Sequence, residues 1–210
     1  MQKTATVPLR ERNRLDTWAL IHDAASAMAC QQGMSKTTVE AIADAAGISK
    51  RTFFNYFPTK EDAILGLQQP TLSEETLAAF RAESSGDLFG RTVRLMVTVI
   101  RSMFPEESKA ERRKLLKQKY PELGKRIFDH LRDSEELVEA VLMERYPDPS
   151  EELSEPGDLP GKDSALALLM MAGTVIRFAF SKDSSAATNE QSTAIDEAIE
   201  IFREAIKATL

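Results

Sequence analysis

The stretch TTVEAIADAAGISKRTFFNYFPTK, residues 37–60, holds two short helical periodicities separated by one glycine. No other part of the chain limits the possible folds so tightly. Thr37 followed by Glu40 reads as a capping box, in which hydroxyl and carboxylate satisfy N–H groups that a helix start leaves open. Val39, Ile42 and Ala43 fall on one apolar face, and Gly47 supplies the left-handed backbone that a helix end or sharp turn needs. The spacing therefore predicts a first helix ending near Ala46. Ser49 caps a second, which carries Lys50, Arg51, Thr52, Phe53, Phe54, Asn55, Tyr56 and Phe57 and is closed by Pro58. Thr59 caps a third, which opens on Lys60, Glu61 and Asp62, with its acids where the helix dipole favours them.

Two helices joined by a glycine-bearing turn fit a helix-turn-helix, whose second helix lies in the DNA major groove and presents its N-terminal residues to base edges. Lys50 and Arg51 donate to guanine or phosphate, Thr52 and Asn55 bond bases or backbone, and Phe54 reaches a thymine methyl. Lys60 and the open N–H groups beside it suit a phosphate. The same geometry also serves as a structural hairpin in proteins that never meet DNA, so a helical protein-interaction module is the alternative. The expected DNA contacts are Thr38, Ser49, Lys50, Arg51, Thr52, Phe54, Asn55, Tyr56 and Lys60.

With these residues in place, the run AASAMACQQGMSKTTVEAIADAAGISKRTFFNYFPTKEDAIL resembles the N-terminal domain of TetR-type transcriptional regulators. The alanine-rich first helix, Gly33, the Thr37-Thr38-Val39 start, Ile42-Ala43, Ala46-Gly47-Ile48-Ser49 and the span from Thr52-Phe53 to Phe57-Lys60 keep the family spacing. The resemblance covers about the first third of the chain. It implies an all-helical homodimer that usually represses transcription, with a C-terminal domain that often binds a small effector. It also implies a phosphate contact at Tyr56. Phe54 stands where many members have tyrosine, and Arg51 where a small residue is frequent, so both are expected to help set the operator sequence. Ala29 and Met34 replace aromatics, which alters core packing more than function.

The chain has 210 residues and a formal net charge of −6, which looks wrong for a DNA binder until it is divided. Up to Pro70 there are eight Lys and Arg against seven Asp and Glu; the remaining nineteen cations face twenty-six acids. Local basic surface, and not total charge, attracts phosphate, so an acidic body is compatible with a DNA-reading head. A single cysteine excludes an intrachain disulfide, and no apolar leader or unbroken apolar span points to export or a membrane, so a cytoplasmic protein is expected. Cys30 reads as a small buried packing residue, with a redox-sensing thiol the alternative. His22 has no carboxylate or second histidine at metal-ligand spacing and reads as a packed or surface histidine; His130 reads as packed or exposed, with a pocket hydrogen bond to an effector the alternative.

Along the rest of the chain, residues 1–9 lack periodicity and are expected to be mobile, and Arg10, Arg12 and Arg14 suit either a minor-groove arm or a solvated chain start. Leu15, Trp18, Ile21, Ala25 and Met28 predict a helix over 13–32. Gln68-Gln69-Pro70 marks a joint, followed by a helix over 73–82 and a break at Ser84-Ser85-Gly86. A strongly apolar helix over 87–104 places Phe89, Val93, Met96, Ile100 and Met103 on one face and Arg94, Thr98 and Arg101 on another. Those arginines either enter a cavity or face solvent or acids on a neighbouring helix. A basic helix after Pro105, anchored by Leu115 and Leu116, precedes a long one whose stripe runs from Leu123 through Leu131 to Leu142 and ends near Tyr146. Residues 147–162, rich in proline and glycine, read as a surface loop. Residues 163–181 are apolar nearly all round except at Arg177, and this helix should be buried on several sides. After a polar break over 183–193, a last helix aligns Ile195, Ala198, Ile199, Phe202, Ala205 and Ile206.

The fold class expected is all-α, with a three-helix DNA-binding domain over 1–67 and a helical effector-binding and dimerisation domain over 68–210. Catalysis is not expected, since there is no phosphate loop and no His/Cys cluster, and neither metal nor cofactor is called for. The partners expected are a double-stranded DNA operator, a second copy of the chain and an unidentified small-molecule effector, with no membrane. Effector contacts are assigned to Met96, Ile100, Arg101, Met103, Leu131 and Met171, because methionines make an adaptable lining and guanidinium suits an anion.

Overall fold

The computed structural model describes residues 9–82, 87–105, 110–145, 161–189 and 191–209. Among them every regular element is helical: α1 (Leu9–Gln32), α2 (Val39–Ala45), α3 (Lys50–Tyr56), α4 (Lys60–Leu65), α5 (Glu74–Ala82), α6 (Leu88–Ser102), α7 (Ala110–Lys119), α8 (Glu122–Arg145), α9 (Gly161–Lys182) and α10 (Ala194–Thr209). The expected mobile N-terminus up to residue 8, the break at 84–86, the stripe end at Tyr146 and the loop over 147–160 lie outside the described residues.

The chain divides into two compact units, one formed by Met1–Gln68 with Ser108–Ile127 and the other by Gln69–Glu107 with Phe128–Leu210. In the first, α1 presents Trp18, Ile21, Ala25 and Ala29 as a buried stripe. The Trp18 ring lies 5.4 Å from His22 and 5.6 Å from Phe57. His22 is a packed histidine: its Nδ1–H donates to the Ala63 carbonyl at 2.7 Å, which fixes the tautomer, since a carbonyl only accepts. Gly66 beside it has φ +62, and a Cβ there would come within 2.9 Å of the imidazole, so backbone and space both require glycine.

Helix α7 and the start of α8 complete this unit. Arg112 donates to Asp23 and to Ser26, Lys119 to the Cys30 carbonyl, and the Tyr120 hydroxyl to the Ala29 carbonyl. Arg126 forks onto both oxygens of Asp62 at 2.7 and 2.8 Å. The expected anchoring of α7 is half corrected, because Leu116 is buried while Leu115 is exposed and the second buried anchor is Arg113. Cys30 is exposed rather than buried; it falls in the last turn of α1, where Gln31 and Gln32 are exposed too. Helix α1 also starts at Leu9 instead of Asn13, so Arg10, Arg12 and Arg14 occupy its first turns and not an extended arm.

In the second unit one core joins Val93, Met96 and Ile100 of α6, Val138 and Leu142 of α8, Leu168, Ala172 and Val175 of α9, and Ile195 and Ile199 of α10. Arginines fasten its rim. Arg94 donates through Nε and Nη2 to Asp196, which makes the neighbouring-acid reading of that residue the correct one. Arg91 lies over the Phe80 ring and donates to the Phe80 carbonyl. The polar break after α9 contains a 3-10 turn over Ser184–Ala187. There the hydroxyls of Ser192 and Ser185 hold the Asp183 carboxyl below its ordinary range. Helix α9 is buried on one side only within the chain, while Leu166, Met170 and Met171 are exposed on the other. By length and composition alone it is also apolar enough to cross a membrane.

Candidate nucleic-acid interface

Local backbone chemistry builds the interface. Thr38, not Thr37, caps α2: its backbone is extended and its side chain accepts from the Ala41 N–H at 3.2 Å. Thr37 is turned inward instead, donating to the carbonyl of Gly33, whose φ of +84 closes the turn after α1. Counting from Thr38, the third residue on is Ala41, so no capping box forms and Glu40 is released for another partner. At the other end of α2, the Gly47 N–H bonds the Asp44 carbonyl and the Ile48 N–H bonds the Ala43 carbonyl. With Gly47 at φ +65 this is a Schellman ending, which turns the chain directly into the next cap. Ser49 supplies that cap, accepting from the Thr52 N–H at 3.0 Å while its hydroxyl lies 2.9 Å from that of Thr52.

The short helix α3 is then fixed in rotation by its aromatics. Phe53 and the following Phe57 are fully buried, their ring centroids 6.1 Å apart, and Phe57 packs on Trp18. Helical periodicity consequently turns Lys50, Arg51, Phe54 and Asn55 to the outside, with Thr52 and Tyr56 half-buried at the edges. Phe54 is 55% exposed, and its ring meets Phe53 edge-on at 5.4 Å. An exposed large aromatic flanked by lysine, arginine and asparagine offers both apolar contact and hydrogen-bond donors to a groove. Thr38 is exposed at the start of α2. Thr59 caps α4, and Lys60 at its first position is half-buried with its ammonium donating to the Met34 carbonyl at 3.0 Å.

One electrostatic feature is absent from the sequence reading. The Lys50 ammonium lies 2.6 Å from Glu40 Oε1, which ties the first residue of α3 to α2. The Lys50 hydrogen bond holds the Glu40 carboxyl below its ordinary value. The signal available was two opposite charges ten positions apart on either side of a turn, and assigning Glu40 to a capping box concealed it.

The six residues assigned to an effector do not form one group. Met96 and Ile100 lie in the core of the second unit, and Leu131 is half-buried against it. Met103 is buried, accepting from the Ser134 hydroxyl at its sulfur. Arg101 is corrected: its Nε and Nη2 donate to the carbonyls of Ala186 and Asn189, so the guanidinium secures the turn after α9. Met171 is corrected as well, since the rotation of α9 that buries Ala172 and Val175 leaves it at the surface.

A capped helix, a Schellman turn and a second helix held by buried aromatics define a helix-turn-helix domain. Residues 21–65 match the family model described as bacterial regulatory proteins, tetR family, so this stretch is similar to that family's N-terminal domain. No curated protein matches the sequence. Among solved structures the chain is similar to Salmonella enterica GusR, at 19% identity and a TM-score of 0.42 over 98% of this chain and 100% of that one. It is also similar to the fatty acid degradation regulator FadR from Bacillus halodurans, at 21% identity and a TM-score of 0.38 over 89% and 93% of the two chains. Superpositions this loose carry no argument about ligands.

Proposed function

We propose that this protein is a sequence-specific DNA-binding transcriptional repressor, acting as a homodimer on a near-palindromic operator and released by a small-molecule effector. The observation that carries the proposal is the rotation of α3: Phe53 is buried while Lys50, Arg51, Phe54 and Asn55 are exposed together. In this reading α3 enters the major groove, Arg51 and Asn55 read base edges, and Phe54 touches a thymine methyl. Thr38, Ser49, Thr52, Tyr56 and Lys60 hold the sugar-phosphate backbone, with the remaining donors of Lys60 turned to phosphate. The outward apolar side of α9 supports pairing with a second copy, which would set two recognition helices about 34–36 Å apart, one DNA turn. The family resemblance supports an effector in the second unit, with Met96, Ile100, Met103 and Leu131 as its lining. Arg101 and Met171 no longer belong to that proposal, given the contacts of the first and the exposure of the second.

The test is selection of bound sequences from a random duplex pool, followed by titration of the enriched site. Arg51→Ala and Asn55→Ala are each expected to weaken that site by about 1–3 kcal/mol and relax selectivity at one position. Tyr56→Phe should weaken all sequences alike, because phosphate contacts position without selecting. Unchanged affinity in folded variants would refute the assignment.

A further inference from the structure

Helix α2 carries two exposed carboxylates, Glu40 and Asp44, and no cation. They stand four positions apart and so share one side of the helix. That is a poor arrangement for a surface meeting a polyanion, unless the acid has a task there. Glu40 has a partner, Lys50, at 2.6 Å, and the two side chains are 57% and 58% exposed. A pair so open to water contributes little to folding, since solvent screens it and two long side chains must be ordered to make it. Its effect falls instead on the ammonium at the first position of α3, where a helix-turn-helix lysine would meet DNA.

We propose that Glu40 is a positioning residue for DNA recognition: by holding Lys50 against α2 it withholds that ammonium from the phosphates of arbitrary duplexes and so suppresses nonspecific binding. This rests on the DNA-binding reading above. On a random duplex, Lys50 gains a phosphate only by leaving Glu40, and the carboxylate left behind then faces the same polyanion. At a preferred site the other donors of α3 are satisfied on base edges, so binding there depends less on freeing Lys50. Glu40 therefore widens the gap between the two. The Lys50 hydrogen bond that keeps the Glu40 carboxyl ionised below its ordinary range is consistent with a pair intact at neutral pH.

The experiment measures affinity of the full chain for a random-sequence duplex across a salt series, for wild type, Glu40→Gln, Lys50→Gln and the double variant. Glu40→Gln is expected to bind about two- to fivefold more tightly, the equilibrium equivalent of an exposed ion pair. It should also steepen the salt dependence by about one unit of slope, as one further cation reaches a phosphate. Both changes should vanish when Lys50 is already glutamine. An unchanged slope in a protein that binds DNA, or a gain that persists undiminished in the Lys50→Gln background, would overturn the inference while leaving the DNA reading intact. Absence of any duplex binding by wild type at low salt would overturn both, and is distinguishable from either.

Discussion

The carboxylate of Asp62 is completely buried, and the charge opposite it, Arg126, is 22% exposed on its side chain. Taking an ion out of water is costly, and a bidentate partner offsets that cost only while both members are present. Arg126→Met is therefore expected to cost about 3–5 kcal/mol, because a buried carboxylate loses its bidentate guanidinium. Urea unfolding of Arg126→Met and of the Asp62→Asn, Arg126→Met double variant checks this, since the double variant should recover much of the loss. Individual residues were legible in the sequence where their chemistry is local. Ser49, Thr59 and Gly47 act within three or four positions of themselves, and the caps and turn follow from them. Asp62 and Arg126 lie 64 positions apart, and no propensity links them; the sequence places Asp62 by its helix dipole alone. Thr37 and Thr38 show a narrower limit, because which of two adjacent threonines caps is decided by the turn at Gly33.

Helix α9 shows what periodicity does and does not encode. A run apolar on nearly every side signals a helix that needs cover, but the same signal arises whether the cover comes from this chain or from another. Helices α6 and α10 cover one side, and Met170, 66% exposed, marks the side left open. Pairing is therefore tested on that open side and not at a core position of α10. Ile199 is 0% exposed in the core of its own unit, so a charge there would disrupt folding before it disrupted pairing. Met170→Glu, with Leu166→Glu as a second variant, is expected to yield a folded monomer with weakened operator binding and an untouched reading surface. Sedimentation and thermal melting together check the prediction, and a native protein that sediments as a monomer while binding DNA tightly would refute it. Arg101 followed another course: sequence offered a cavity, solvent or a neighbouring acid, and the guanidinium instead met two backbone carbonyls.

Over the whole molecule, the chain passes from the first unit to the second at residues 68 and 69, returns at 107 and 108, and leaves again at 127 and 128 within α8. Charge composition and the weakening of the pattern at Gln68-Gln69-Pro70 made the first crossing visible. The return was not, because α7 reads simply as a charged amphipathic helix, and nothing in its spacing says which unit its buried Leu116 and Arg113 complete. A fragment ending at residue 68 would lack the Tyr120 and Arg112 contacts to α1 and would leave Asp62 without its guanidinium. It is expected to melt well below the intact chain and to bind an apolar dye, and calorimetry of the fragment checks this; a transition as high as in the full protein would refute it. The first unit is thus not a segment that ends at residue 68. If α3 reads DNA as proposed, moving that specificity to another scaffold would require exchanging the outward residues of α3 one at a time, because a cut at residue 68 removes α7 and the start of α8 from the unit they complete.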